Sequence, residues 1–236
     1  MIVRSVPVGL LLITQPDHAH LAGRIMLHCT ALSASPRRDA ILRAIAEHDN
    51  GWAVLDASPI VNPATGGVAD FINVPVEMRQ AVWPRGVEAL ADQPWAAALV
   101  AQHAITVYDR FRSDAEWTPF FAEMAALRDA MLRASEMPLD DLVADYRFVR
   151  LGDLISLSFC TGWSDAHRFG EWTVQLSGTT VTVAPDPFGG AQIPMEIAAR
   201  ALRRPTFGSD AELRSALSEA RVTTVRASVV GTTLAW

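Results

Sequence analysis

Histidine and carboxylate side chains recur along this chain in an order that suits metal chemistry. His18 comes first, His48 and Asp49 stand side by side thirty residues on, and His103 and then Asp153 follow. Each offers a nitrogen or oxygen ligand, and imidazole together with carboxylate suits Fe, Mn, Co, Ni or Zn. The Asn50-Gly51 turn after Asp49 lets the backbone bend, so that both side chains of the pair can face one cavity. A divalent cation held among these residues would make a bound water acidic. Asp17, Glu47 and His103 are the candidates to orient that water, with Trp52 and Asn50 at the cavity rim contacting substrate.

Composition narrows the alternatives. All 20 basic residues are Arg, and no Lys occurs in the 236 residues. That excludes a GxxxxGK[ST] phosphate loop, a Schiff-base lysine and a lysine general base. Against 26 acidic residues the net charge is −6, and Arg37-Arg38 and Arg203-Arg204 are the only adjacent basic pairs. No basic stripe is offered to nucleic acid. Cys29 and Cys160 lack CxxC spacing and read as inert thiols of a reducing compartment. The apolar run Val6 to Ile13 is too short to span a membrane and carries no signal-peptide cleavage pattern, so a cytoplasmic location is expected.

The elements that must position these residues can be read from periodicity. Ile2 to Thr14 is a strand or extended arm. Asp17 then caps a helix running to Leu32, with Leu21, Ile25 and the Leu27-His28 pair at helical spacing. Arg37 to His48 repeats the pattern through Ile41, Ile45 and His48, delivering His48 and Asp49 at a helix end. Residues 50–93 are broken by Pro and Gly and read as a long loop excursion that could close over the cavity. Trp95 to Phe111 is helical and apolar on most sides, with His103 in its middle. Asp114 to Ser135 and Leu139 to Cys160 are two more helices parted at Pro138. Beyond Gly162, Trp172 to Leu176 and Thr180 to Val183 form a hairpin, Asp210 to Ala220 a short helix, and Val222 to Trp236 closing strands. The expected architecture is mostly α, a helical part over 1–162 with a small β-rich C-terminal extension over 163–236 packed on it. His20, His28 and His167 read as surface or core residues, and Trp83, Trp95 and Trp117 as core anchors.

The order His18, His48-Asp49, Asp153 resembles the HD-domain superfamily of metal-dependent phosphohydrolases, which implies an HD-domain-like helical bundle and a divalent cation held by His18, His48, Asp49 and Asp153 that makes a water acidic and polarises a phosphoryl oxygen. The phrases Ile13-Thr-Gln-Pro-Asp-His18, His48-Asp-Asn-Gly-Trp52, Asp153-Leu-Ile-Ser-Leu157 and Pro185-Asp-Pro-Phe188 are similar, more closely, to a bacterial conserved domain of unknown function, which implies no activity. Two-metal members of the superfamily place two further His between the His-Asp pair and the last Asp, whereas this chain offers only His103. A second metal is therefore one ligand short, since His20 lies about 200° round a helix from His18. One divalent transition metal is expected, with His103 as a fifth ligand or a substrate contact. Without Lys, the cation for phosphate falls to Arg24, Arg110 or Arg112, and Arg24, six residues after His18, is preferred. The implied function is hydrolysis of a phosphate ester of a small molecule. Two readings stay open beside it: an iron-dependent oxygenase of the same fold, and a non-catalytic metal-binding or regulatory module that self-associates through the β-rich part.

Overall fold

Two strands open the chain. In the structure, a computed structural model that describes residues 1–233, β1 (Ile2–Val6) and β2 (Gly9–Ile13) pair antiparallel around Pro7 and Val8. Gly9 takes φ 130° at that turn, a conformation open to glycine. Thr14 then caps α1 (Gln15–Met26): its hydroxyl accepts from the Asp17 amide at 3.1 Å and donates to the Asp17 carboxylate at 2.6 Å. Asp17, expected as the cap, thus sits one half-turn inside the helix. Buried His18, Leu21, Ala22 and Ile25 follow at the helical repeat.

α2 (Arg38–Glu47) buries Ile41, Ala44 and Ile45, and His48 continues the same stripe just past its end. The stretch 50–93, expected as a loop, instead carries α3 (Ala53–Ala57) and the 13-residue α4 (Val76–Glu88). Pro84 inside α4 and an apolar pattern shared between two clusters obscured its period. α5 (Pro94–Val107) is buried on nearly every side, α6 (Thr118–Ser135) follows, and α7 (Leu139–Thr161) runs 23 residues and ends at Gly162 in the left-handed region. Close approach of α1, α2 and α7 rests on two glycines. A Cβ at Gly152 would lie 2.9 Å from Ile45 Cγ2 and 3.0 Å from Met26 Cγ, and one at Gly23 would lie 2.8 Å from Ala46 Cβ. Their absence of side chain brings the backbone beside His18, His48 and Asp153 together.

The remaining elements are β3 (His167–Phe169), β4 (Trp172–Ser177), β5 (Thr180–Ala184), β6 (Gln192–Leu202), α8 (Asp210–Ser218) and β7 (Arg221–Gly231). All seven strands form one mixed sheet in the order β1-β2-β6-β7-β5-β4-β3, curved into a half-barrel. Among the described residues only β5 with β7 is parallel. About half of the chain is helical, so the fold is mixed α/β. The expectation of a mostly α, all-helical bundle with a small β extension is overturned by this sheet. Its origin is the N-terminal arm: Leu10, Leu11 and Leu12 pair with Leu202, Ala201 and Arg200. A pairing across some 190 residues leaves no mark on local periodicity. One core joins the two layers, with Ile25, Ile45, Leu151 and Ile155 of the helices packed with Val174, Val181, Ile193 and Met195 of the sheet. Among the described residues no helix is long and apolar enough to cross a membrane. Residues 234–236, the end of the expected closing strands, lie outside the described residues.

Candidate metal centre

Four helices converge on one buried point. His18 comes from the second turn of α1, His48 and Asp49 from the end of α2, His103 from α5 and Asp153 from α7, and all five are buried. His18 Nε2 lies 2.9 Å from Asp49 Oδ2 and 3.2 Å from His48 Nε2. Asp153 Oδ1 lies 3.6 Å from His48 Nε2 and 3.9 Å from His18 Nε2, and His103 Nε2 lies 3.8 Å from Asp153 Oδ2. Ligand bonds of about 2.1 Å set neighbouring donors roughly 3.0 to 3.4 Å apart. The observed spacings scatter around that range.

The far side of each ring fixes which nitrogen faces inward. His48 Nδ1 donates to the Ile45 carbonyl at 2.7 Å. The Ser156 hydroxyl donates to the Asp153 carbonyl at 3.1 Å and so accepts from His18 Nδ1 at 2.8 Å. Tyr146 Oη stands 3.1 Å from His103 Nδ1. His18 and His48 thereby present Nε2 to the same space as two carboxylates, the outer-shell arrangement that metal-binding imidazoles use, and His103 turns its Nε2 toward Asp153. Two bare imidazole nitrogens at 3.2 Å repel each other, so that contact requires a shared proton or a cation. Two overlapping groups, His18 with His48 and Asp49, and His48 with His103 and Asp153, each bring their donor atoms within 4.8 Å of one another, and the residues His18, His48, Asp49 and Asp153 could hold a divalent cation.

The charges of the metal-free centre follow from burial and pairing. Burial alone would lower the His48 pKa, but the Asp49 and Asp153 carboxylates outweigh it and raise it to about 9. Burial would raise Asp49 and Asp153; His48 and His18 hold Asp49 low, and Arg150 with His48 holds Asp153 well below the usual carboxylate range. Arg150, one turn earlier on α7, donates to Asp153 Oδ2. Burial drives His103 down to about 3, since Asp153 and Asp49 compensate only in part.

The centre forms the floor of a cavity of about 470 Å³. That volume suits a small molecule. Trp52 and Trp83 wall it on one side, and Trp163 and His167, just before and within β3, wall it on the other. Arg79, Arg110 and Arg150 also line it. Trp52 Nε1 is buried with no partner among the described residues.

Several expected site residues lie elsewhere. Arg24 donates to the Glu196 carbonyl at 3.2 Å and lines a separate groove between α1 and β6, so it does not reach the centre. Six residues from His18 is nearly two turns, which carries Arg24 to the sheet side of α1. Arg112 pairs with Asp109 at 2.7 Å outside the cavity. Asp17 is tied to Thr14 and lines another depression, and Glu47 pairs with Arg43 at 3.5 Å and His20 at 3.9 Å. Asn50 pins the turn by donating to the Gly86 carbonyl at 3.2 Å, and does not line the cavity. Sequence reasoning missed Arg79, Arg150, Tyr146 and Ser156 and placed His167 away from the site. A signal existed for those on α7, since Tyr146, Arg150 and Ser156 lie within two turns of Asp153 at helical steps.

A protein-family model matches residues 1–204 of the chain, and its description is protein of unknown function (DUF3891). No curated protein and no solved structure matches. The description assigns no activity, so hydrolase chemistry does not come to the chain through its family.

Proposed function

The chain belongs to this family of unknown function, DUF3891, and we propose that its centre holds one divalent transition metal and turns water against a phosphate ester of a small molecule. The observation that carries the reading is the meeting of His18, His48, Asp49 and Asp153 on the floor of a small-molecule-sized cavity. His, then His-Asp, then Asp is also the order of the HD-domain superfamily, and a relation of the site-bearing helices to it is part of the proposal. Fe, Mn, Co, Ni and Zn all suit two imidazoles with two carboxylates. When bound, such an ion supplies Lewis acidity and makes water acidic enough to act near neutral pH.

The chain's own groups do the rest. His18 and His48 present Nε2 because Ser156 and the Ile45 carbonyl occupy their Nδ1 atoms. Asp49 and Asp153 offset the cation's charge, and Arg150 holds Asp153 in place. His103, held by Tyr146, faces the floor of the cavity and can orient the attacking water. Trp52, Trp83 and Trp163 exclude bulk solvent around the reacting group. The proposed partner is a small molecule, and two unpaired buried cysteines suit a reducing, cytoplasmic setting.

Elemental analysis of protein purified without a metal-binding tag tests this, beside Asp49→Ala and Asp153→Ala. Near one equivalent of Fe, Mn, Co, Ni or Zn in the wild type, lost in both variants, with release of phosphate from an ester panel, is the expected result. No metal in any of the three, even after divalent ions are supplied, overturns the reading. Two equivalents of iron with a visible band under oxygen would replace it with an oxygenase.

A further inference from the structure

We propose that Arg79 and Arg110 form a second anion subsite in the outer part of the cavity, so that the substrate carries another oxyanionic group, phosphate or carboxylate, besides the reacting phosphate. Arg79 comes from α4, and Arg110 from the turn after α5. The Arg79 guanidinium lies over Phe111 at 5.9 Å and Trp117 at 5.6 Å, and that of Arg110 lies over the same Phe111 ring at 4.7 Å. Two guanidiniums thus each pack against the Phe111 ring and line one cavity. Among the described residues neither has a carboxylate partner, and Arg79 Nε is buried with no acceptor. Asp165, an exposed carboxylate on the wall that follows α7, lines the same cavity and pairs with neither.

Two guanidiniums that line one cavity without a carboxylate partner leave positive charge and free donors there, and an oxyanion offsets that charge and supplies the acceptors. Arg150 cannot serve here, because it is committed to Asp153 at the floor. Depth separates the two subsites. His18, His103 and Asp153 are buried, Arg79 is half-buried and Arg110 is exposed at the mouth. The assignment rests on the proposed metal reading for the position of the reacting phosphate, which makes the arginine pair the outer end.

Calorimetric titration of the full, metal-reconstituted chain with non-hydrolysable probes tests it: propylphosphonate with one anion, propane-1,3-bisphosphonate, and 3-phosphonopropanoate. At least one two-anion probe should bind tenfold or more tighter than propylphosphonate. Preference for the bisphosphonate identifies phosphate as the second group, and preference for 3-phosphonopropanoate identifies carboxylate. In Arg79→Gln/Arg110→Gln the ratio should fall toward one, and Arg110→Glu, altering an exposed side chain only, should lower it too. Equal affinities in the wild type, or a preference that survives both variants, overturns the subsite. Metal content is measured on the same samples. One equivalent of metal without anion preference sinks the subsite alone, and anion preference in protein that takes up no metal sinks the metal reading alone.

Discussion

Ser156 and Tyr146 are not ligands, yet they decide which nitrogen His18 and His103 turn inward. Ser156→Ala leaves the His18 Nδ1 proton buried without an acceptor and frees the ring to rotate. Metal affinity, read by competition with a chromophoric chelator, should drop roughly 10- to 100-fold; an unchanged affinity would remove Ser156 from the site's machinery. His48 gives a pH signature in the metal-free protein. Its folded pKa is raised to about 9 from an ordinary 6.5, so its stabilising contribution is full below 6.5 and is lost as pH rises through 9. The melting temperature of metal-free protein should therefore fall between pH 6.5 and 8. His48→Gln should flatten that slope, and a slope of the same size in the variant would refute the assignment. Asp153 acts in the opposite window. Its pKa is depressed, so its contribution is present above the ordinary carboxylate value and disappears as pH falls below it.

α1, α2 and α7 set the spacing of the centre through residues with nothing to offer a metal. Gly152→Val would push a side chain against Ile45 and Met26, one position from Asp153. Stability should fall by roughly 1 to 3 kcal/mol in chemical denaturation, and metal uptake should weaken with it. A variant that melts early but binds metal normally would show that helix spacing does not govern the centre. These helices were legible in the sequence, because His18 and His48 lie on the same buried stripes as Leu21, Ile25, Ile41 and Ile45. The His, His-Asp, Asp set stands out by residue type and order and by its resemblance to the HD-domain superfamily, and the fold brings those residues to one place. α4 was not, since Pro84 and a pattern divided between two apolar surroundings leave no single face to read. Arg79, which α4 carries into the cavity, was hidden with it. Arg24 stands roughly 240° round α1 from His18, on the face that meets the sheet, and which face that is cannot be told from spacing along the helix.

At the scale of the whole molecule, the sheet closes on the N-terminal hairpin. Deleting residues 1–13 would free the edge of β6 that Arg200 to Leu202 turn toward β2 and would uncover Leu202, Phe207, Leu213 and Leu217, which pack with Leu10 and Leu12. An unpaired apolar edge invites pairing with other chains. The truncated protein should elute as aggregate in size exclusion with light scattering, and a monomeric truncation that still takes up metal would show that the hairpin is dispensable. The sequence hid this closure because strand pairing is a relation between distant segments, and only the nearby β4–β5 hairpin announces itself through its Ser177-Gly178 turn. Synthesis runs in one direction, so β2 leaves the ribosome well before its partner in β6 exists. At ordinary elongation rates the wait is roughly ten to forty seconds. During that interval the nascent chain can assemble the four helices of the centre, and the opening hairpin can dock on them through the Met1 amino group on Asp56 and Arg4 on the Phe159 carbonyl, while the edge of β2 that awaits β6 stays open.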